Sequence, residues 1–449
     1  MTKLNATPDD LAKQVLTKVR DAKISHKIPG EDVLSELFNI LFYTSLKTEE
    51  GQHIRVTITL IDPKNPDPSP PQRIVADRWQ YVRFNDEIPF TVKNLVKLSK
   101  AADVWSSSLA VYFNDKNELF IWGMIDQAIH YHSFLNYESD SGPEQPGIFQ
   151  STITGIGSLI VIFDYELIAT LKQETLITNY IDVFKRGEVK ELFEQLSVDH
   201  KEAAKKYLEK EFPSDDFAFW ETFSENIIKE TLSRILLRIQ NYQHGGALLI
   251  TNDAKSDLDI KYSISYSRIS DAIDKVTELT IANTYYSNEV HSDFLDEEKD
   301  ELPIGLYLDE NVSGFEKDDA KDELKGAVRF VASLSCVDGL VLMDTNLKVV
   351  GFGTVIKMAQ IPNTVYVSKT AKINVSKLGK VNPNNYGTRH RSMFSYCWNH
   401  DGAIGFVVSQ DGDIRAITKV GSKLIMWENI RVQRYLTSKK LRKPLTTKK

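Results

Sequence analysis

Two hydrophobic periods divide the chain. Residues 54–61 alternate apolar and polar positions and are rich in Val, Thr and Ile, the period of a half-buried strand. Residues 109–113 and 119–125 are apolar runs on either side of Asn114-Asp115-Lys116-Asn117, a turn-forming cluster, and so predict a β-hairpin. A further strand pair is expected around 157–163, while the first ~25 residues have only weak helical spacing and residues 62–71 hold five prolines and must loop. The period then changes to 3.6. Ile228, Leu232, Ile235 and Ile239 form one stripe of an amphipathic helix, read as core packing or a dimer seam.

That helix stops at His244-Gly245-Gly246, and strands and helices alternate from there. Strands are predicted over 247–250, 262–266, 337–343, 348–356, 403–409 and 414–418, and helices over 269–279, 327–333 and 392–399. Residues 293–325 are crowded with Asp, Glu and Lys and read as a solvated insertion or mobile loop. A second loop carries Arg389-His390-Arg391. The organisation expected is an α+β domain over 1–186, a helical connector over 187–243, and an α/β domain with a mixed sheet flanked by helices over 244–430, with an acidic insertion at about 290–325. A basic tail, 431–449, ends the chain.

Composition narrows the class. The apolar fraction is 42% and the charged fraction 26%, values of a globular protein, and the net charge of -7 disfavours a sequence-blind nucleic-acid binder. The tail runs against that average with eight Lys/Arg and no acid. Cys336 and Cys397 support neither a disulfide framework nor a zinc spacing. No apolar run approaches the ~20 residues of a membrane span and no signal peptide opens the chain, so a cytoplasmic protein is expected. Trp122, with His130 and His132 after it, reads as packing and a loop His-x-His.

The chemistry gathers in the second half. Arg389, His390 and Arg391 follow Gly387-Thr388, and two guanidiniums beside one imidazole suit polyphosphate oxygens. Asp338 stands where a strand meets a loop, either as a turn residue or as a hard-oxygen ligand for Mg²⁺ or Mn²⁺, and Gly339 lets backbone approach a ligand. Neither a phosphate loop nor a dinucleotide fingerprint is present, which disfavours standard ATPase and dehydrogenase designs.

Gly246-Ala247-Leu248, Asp338-Gly339-Leu340, Gly387-Thr388-Arg389-His390-Arg391 and Val407-Val408-Ser409 together resemble the diadenylate cyclase domain over about 244–430. The N-terminal half is similar to the sensor domain found ahead of some bacterial cyclases of this type. The resemblance implies condensation of two ATP into cyclic di-AMP with release of two pyrophosphates, in a site assembled from two facing domains and therefore requiring self-association. It implies that Asp338 binds the metal beside the attacking 3′-hydroxyl. Gly246, Ala247, Gly339, Leu340 and Ser409 would line the nucleotide pocket, and Gly387, Thr388, Arg389, His390 and Arg391 would hold the phosphates. The signal ligand of the N-terminal domain stays unknown. Four positions depart from the family: Leu340 replaces the usual alanine, Cys397-Trp398 the usual Ser-Glu, and Gln410 stands where a glutamate is usual. The alternative is a non-catalytic regulator that binds a nucleotide or a cyclic dinucleotide.

Overall fold

The computed structural model describes residues 2–3, 5–21, 29–67, 79–104, 106–127, 133–139, 149–163, 166–213, 217–252, 257–291, 304–357, 360–410 and 412–434. The chain divides into two compact units, Met1–Tyr180 with the segment from Gln433, and Ile181–Val432. His130 and His132 lie outside the described residues, as do 435–449 of the tail.

The first unit contains strand β1 (Thr2–Lys3), helices α1 (Pro8–Asp21) and α2 (Glu31–Ser45), the short pair β2 (Thr48–Glu49) and β3 (Gln52–His53), strands β4 (Thr57–Leu60) and β5 (Gln80–Pro89), and helix α3 (Val92–Ser99). The hairpin β6 (Ser107–Phe113) and β7 (Leu119–Asp126) follows, then β8 (Phe149–Gly155), β9 (Ser158–Phe163), β10 (Glu166–Lys172) and β11 (Thr175–Ile177). The hairpin turn closes because Asn114 Oδ1 accepts from the Lys116 and Glu118 amides, each at 2.9 Å, while Asn117 takes a left-handed φ of 65°. The sheet runs β1-β11-β10-β9-β8-β4-β6-β7-β5, and β4 with β6 is its parallel pair. Leu11 and Val15 of α1, and Leu34, Leu37, Phe38 and Leu41 of α2, bury their stripes in one core with the inward residues Ile58, Leu109, Val111 and Val161. Trp122 belongs to a separate small core with Ile61 and Trp79, where its indole N–H donates to the Ile61 carbonyl at 2.9 Å. It is packing, as the hairpin context predicts. The start of the basic tail is anchored here: the Arg434 amide donates to Leu135 O at 3.0 Å, and its guanidinium lies over the Phe134 and Tyr137 rings.

The second unit begins with α4 (Glu188–Leu196), α5 (Val198–Glu211) and α6 (Phe217–Asn241). Residues 187–243, expected as a connector, therefore lie inside this unit, because Ile228, Leu232, Ile235 and Ile239 are all buried. The rest comprises β12 (Gly246–Ile250), β13 (Leu258–Tyr266), α7 (Arg268–His291), α8 (Ile304–Leu334), β14 (Leu340–Met343), β15 (Val349–Ile356), β16 (Val365–Ser368), β17 (Gly379–Val381), α9 (Thr388–Asn399), β18 (Ile404–Val408), β19 (Ile414–Val420) and β20 (Lys423–Trp427). Its sheet runs β13-β15-β14-β12-β18-β19-β20-β16-β17 and is mixed, with β12 parallel to β14 and β16 to β20. Met393, Phe394, Tyr396 and Cys397 of α9 pack on one face, with Ala247, Leu340, Val407 and Ile417.

Three expectations are corrected. Residues 304–325 of the acidic insertion form the first two thirds of α8, not a loop. This helix pairs antiparallel with α7, as Glu323 meets Arg268 and Lys275 at one end while Asn283 donates to Glu310 O and Ser313 Oγ at the other. Ser313, Ala320 and Leu324 are buried, so the acid-rich composition records the solvated face of a helix. The predicted strand over 337–343 starts only at Leu340, which leaves Asp338 and Gly339 in the turn before it. Thr388, Arg389, His390 and Arg391 are the first turn of α9 instead of a loop, with Gly387 as the N-cap residue.

Candidate functional site

Strand registers bring the separate motifs to one edge of the second sheet. Leu248 pairs in parallel with Val341, and continuing that register back sets Gly246 level with Gly339. On the other side of β12, Gly246 pairs with Val408, and Val408 pairs with Ile414. Asp338-Gly339, Gly245-Gly246, Ser409 and the start of β19 thus share one end of four adjacent strands. With strands ~4.8 Å apart, the motif glycines fall within about 10 Å of one another and of Ser409.

The glycines at this edge answer to close packing. Gly339 has φ +119°, and a Cβ there would lie 2.5 Å from the carbonyl carbon of Gly353 on β15, so a side chain would force the strands apart. Gly245 has φ +64°, and a Cβ there would meet Arg389 Nη1 at 2.8 Å and Val408 O at 2.9 Å. That geometry places the Arg389 guanidinium against the ends of β12 and β18, joining two motifs separated by more than a hundred residues. Ser409 shapes the turn beside them: its Oγ accepts from the Asp413 amide at 3.0 Å and its amide donates to Asp413 O at 2.9 Å.

The charges are unevenly compensated. Arg389 and Arg391 make no ion pair among the described residues, and Arg391 Nε is buried without a hydrogen-bond partner there. Both follow the Gly387 N-cap, where free helix amides add to the positive field. His390 behaves differently. Its Nε2 lies 3.1 Å from Arg415 Nη1, and arginine can only donate, so Nε2 is the unprotonated nitrogen. Burial, then the positive charges of Arg415 and Arg389, push the imidazole down to about 4 against a smaller opposing effect of Asp413. At neutral pH His390 is therefore neutral and adds no charge to the fork. Arg415 is in turn held by Glu428, Nε to Oε1 at 3.4 Å, and by Asp413 at 3.6 Å. The ring of Tyr386 sits 5.5 Å from that of His390, and its hydroxyl donates to Glu428 at 3.4 Å; burial and the Glu428 charge push this phenol up to about 12.

Inward-facing positions on the α9 side form a row across the sheet: Glu428, Arg415, Val407, Ala247, Leu340, Thr354, each opposite the next by register. The row ends at Thr354, whose Oγ1 is buried and without a hydrogen-bond partner among the described residues. Ala247 and Leu340 are buried between these polar ends. Sequence reasoning missed Arg415, Glu428 and Thr354. A cation or hydroxyl at an inward position of an otherwise apolar strand was the available signal, as Ile414-Arg415-Ala416-Ile417 displays.

Among the described residues no group of three His, Cys, Asp or Glu stands ready to hold a metal. Asp338 is exposed at the edge and is the carboxylate next to Gly339. One carboxylate fits Mg²⁺ or Mn²⁺ only as a partial ligand set completed by substrate phosphates and water. The Cys397-Trp398 departure is remote from this chemistry. Cys397 lies nine residues beyond Thr388 and six beyond Arg391, roughly 14 Å and about 9 Å along the helix axis at ~1.5 Å per residue. It is fully buried, donates to Ile417 O at 3.4 Å, and burial pushes its thiol up to about 12. Trp398 lies beneath Lys419 Nζ at 5.2 Å.

In the first unit, residues 23–126 match the family described as Probable sensor domain DACNV. No curated protein matches the chain. No helix among the described residues is long and apolar enough to cross a membrane.

Proposed function

We propose that the second unit is a metal-dependent nucleotidyltransferase of the diadenylate cyclase type, regulated by the first unit. The observation that carries this reading is the convergence at one sheet edge of an exposed carboxylate, Asp338, two glycines packed too closely for side chains, and the Arg389 guanidinium, with Arg391 in the same helix turn and neither arginine ion-paired among the described residues. Unpaired guanidiniums at a helix N-terminus suit an anion, and a triphosphate supplies one of the required size and charge. The match of residues 23–126 to a sensor domain of cyclase proteins supports the pairing of sensor and catalytic unit.

In this mechanism Arg389, Arg391 and the first amides of α9 hold the phosphates and offset the charge that grows on the departing pyrophosphate. Gly339 and Gly246 admit the nucleotide against backbone. Asp338 lies beside the 3′-hydroxyl that attacks the α-phosphate of the opposing ATP, and would hold Mg²⁺ or Mn²⁺ with phosphate oxygens. When bound, that ion polarises the phosphoryl oxygens and lowers the cost of charge build-up. Alignment of two substrates by two copies supplies much of the acceleration. The Leu340 side chain narrows the space beside Gly339 relative to alanine and bears on base choice.

The alternative, a regulator that binds nucleotide without turnover, draws on Asp338 being a single carboxylate with no metal-holding group of three His, Cys, Asp or Glu among the described residues. It gains nothing from Cys397-Trp398, which lies in the core and at the far end of α9. The test is incubation of the full chain with Mg²⁺ or Mn²⁺ and either ATP or GTP, with products identified by mass spectrometry. Cyclic di-AMP from ATP is the expected result. Saturable nucleotide binding with no product in either metal overturns the enzyme in favour of the regulator.

A further inference from the structure

We infer that Arg415 is a positioning residue that fixes His390 as a neutral hydrogen-bond donor, its Nδ1–H available to a phosphate oxygen beside the Arg389 and Arg391 guanidiniums. The inference of a phosphate partner rests on the nucleotide-binding reading of this site; the fixed tautomer does not.

The argument is geometric. Arg415 Nη1 approaches His390 Nε2 at 3.1 Å, and a guanidinium has five donors and no acceptor. Nε2 must accept, so the ring proton of neutral His390 resides on Nδ1. That nitrogen has no hydrogen-bond partner among the described residues. Arg415 is itself constrained from two sides, by Glu428 across the β19–β20 ladder at 3.4 Å and by Asp413 at 3.6 Å. Its side chain is only 18% exposed, so it cannot swing away without leaving both carboxylates. The groups facing His390 are then Arg415 and Asp413 from the β18–β19 side, Arg389 from its own helix, and Tyr386, whose hydroxyl engages Glu428. Phe394 closes the remaining side, with ring centroids 6.3 Å apart.

The fold adds to the Arg-His-Arg string what neighbouring positions do not specify, the tautomer of the imidazole. The sequence reads as two guanidiniums beside an imidazole of unassigned tautomer, whereas the fold supplies two cations and one neutral donor with its proton on Nδ1. A neutral donor holds a phosphate oxygen without adding charge that must later be given up when pyrophosphate leaves. It also keeps its donor role unchanged across the physiological pH range, because both the donor and its tautomer are set by Arg415.

The test is long-range ¹H–¹⁵N imidazole spectroscopy of the nucleotide-free full chain between pH 5 and 8, with the His390 signals assigned from His390→Gln. The expected wild-type result is one neutral form with the proton on Nδ1 throughout. Arg415→Gln is expected to mix the tautomers and raise the midpoint of His390 titration, since a positive neighbour is lost. Arg415→Lys keeps a cationic donor and is expected to preserve the wild-type tautomer; it also covers the case in which Arg415→Gln does not fold. A proton on Nε2 in the wild type, or a tautomer unchanged in Arg415→Gln, overturns the inference. Nucleotide affinity gives the second arm: about a ten-fold loss in Arg415→Gln, the worth of one hydrogen bond to a charged group, with recovery in Arg415→Lys. The Nδ1 tautomer with unaltered affinity overturns the phosphate contact. Absence of any nucleotide binding by the wild type instead overturns the nucleotide reading and, with it, that contact, leaving the tautomer assignment standing.

Discussion

At the scale of single residues, Asp338 and the two free arginines divide the chemistry. Asp338→Asn keeps shape and removes charge; product formation is expected to disappear while ATP binding, measured by calorimetry, survives through the guanidiniums. Full turnover in that variant would show that the carboxylate has no part in the reaction. Arg391→Ala removes a clamp with no ion-pair partner among the described residues, so ATP affinity is expected to fall about ten-fold or more with little change in thermal midpoint. His390 supplies a pH signature. Its pKa lies below the ordinary histidine value in the folded chain, so the unfolded chain binds a proton that the folded chain refuses. Stability is therefore expected to be full above ~6.5 and to fall as pH drops from there toward 4. His390→Gln is expected to flatten that part of the curve in denaturant titrations. Thr354→Val removes a buried hydroxyl lacking a partner among the described residues and is expected to leave stability unchanged or raise it by about 1 kcal/mol.

At the scale of elements, the site depends on backbone spacing more than on side chains. Gly339→Ala places a Cβ 2.5 Å from the Gly353 carbonyl carbon and demands a φ of +119° that alanine rarely adopts. It is expected to lower the thermal midpoint of the second unit and to abolish nucleotide binding, even though alanine is the smallest possible addition. A variant with native melting and native affinity would show that β14 and β15 separate freely. The sequence foretold β6 and β7 with their turn, because Asn114 and Asn117 are local turn chemistry that acts whatever lies around it. It failed for α8, where acid-rich composition mimics a solvated loop. The helix exists because Ala320, Leu324, Ala327 and Val331 bury one face against the unit, a stripe too diluted by surface charge to stand out. Strands β16, β17 and β20 were likewise missed, since segments of three to five residues carry little period of their own.

At the scale of the whole molecule, the proposed turnover needs two copies, because each contributes one bound ATP. Rate per protomer in a dilution series of the full chain is expected to fall below the self-association constant. A rate strictly proportional to enzyme down to a verified monomer excludes the facing-pair mechanism.

The sequence by itself determined which chemistry the chain could reach: a carboxylate at the start of a strand, a glycine pair, and an arginine-rich turn ahead of a helix. Period, turn residues and functional groups are properties of neighbouring positions, and they survive without knowledge of the fold. Only the tertiary structure decided that these pieces meet, since register across β14, β12, β18 and β19 joins residues from 245 to 415. It also decided that His390 is neutral, because burial and a guanidinium twenty-five residues away set its protonation. Desolvation and long-range charge have no period, and so no stretch of the chain could announce them.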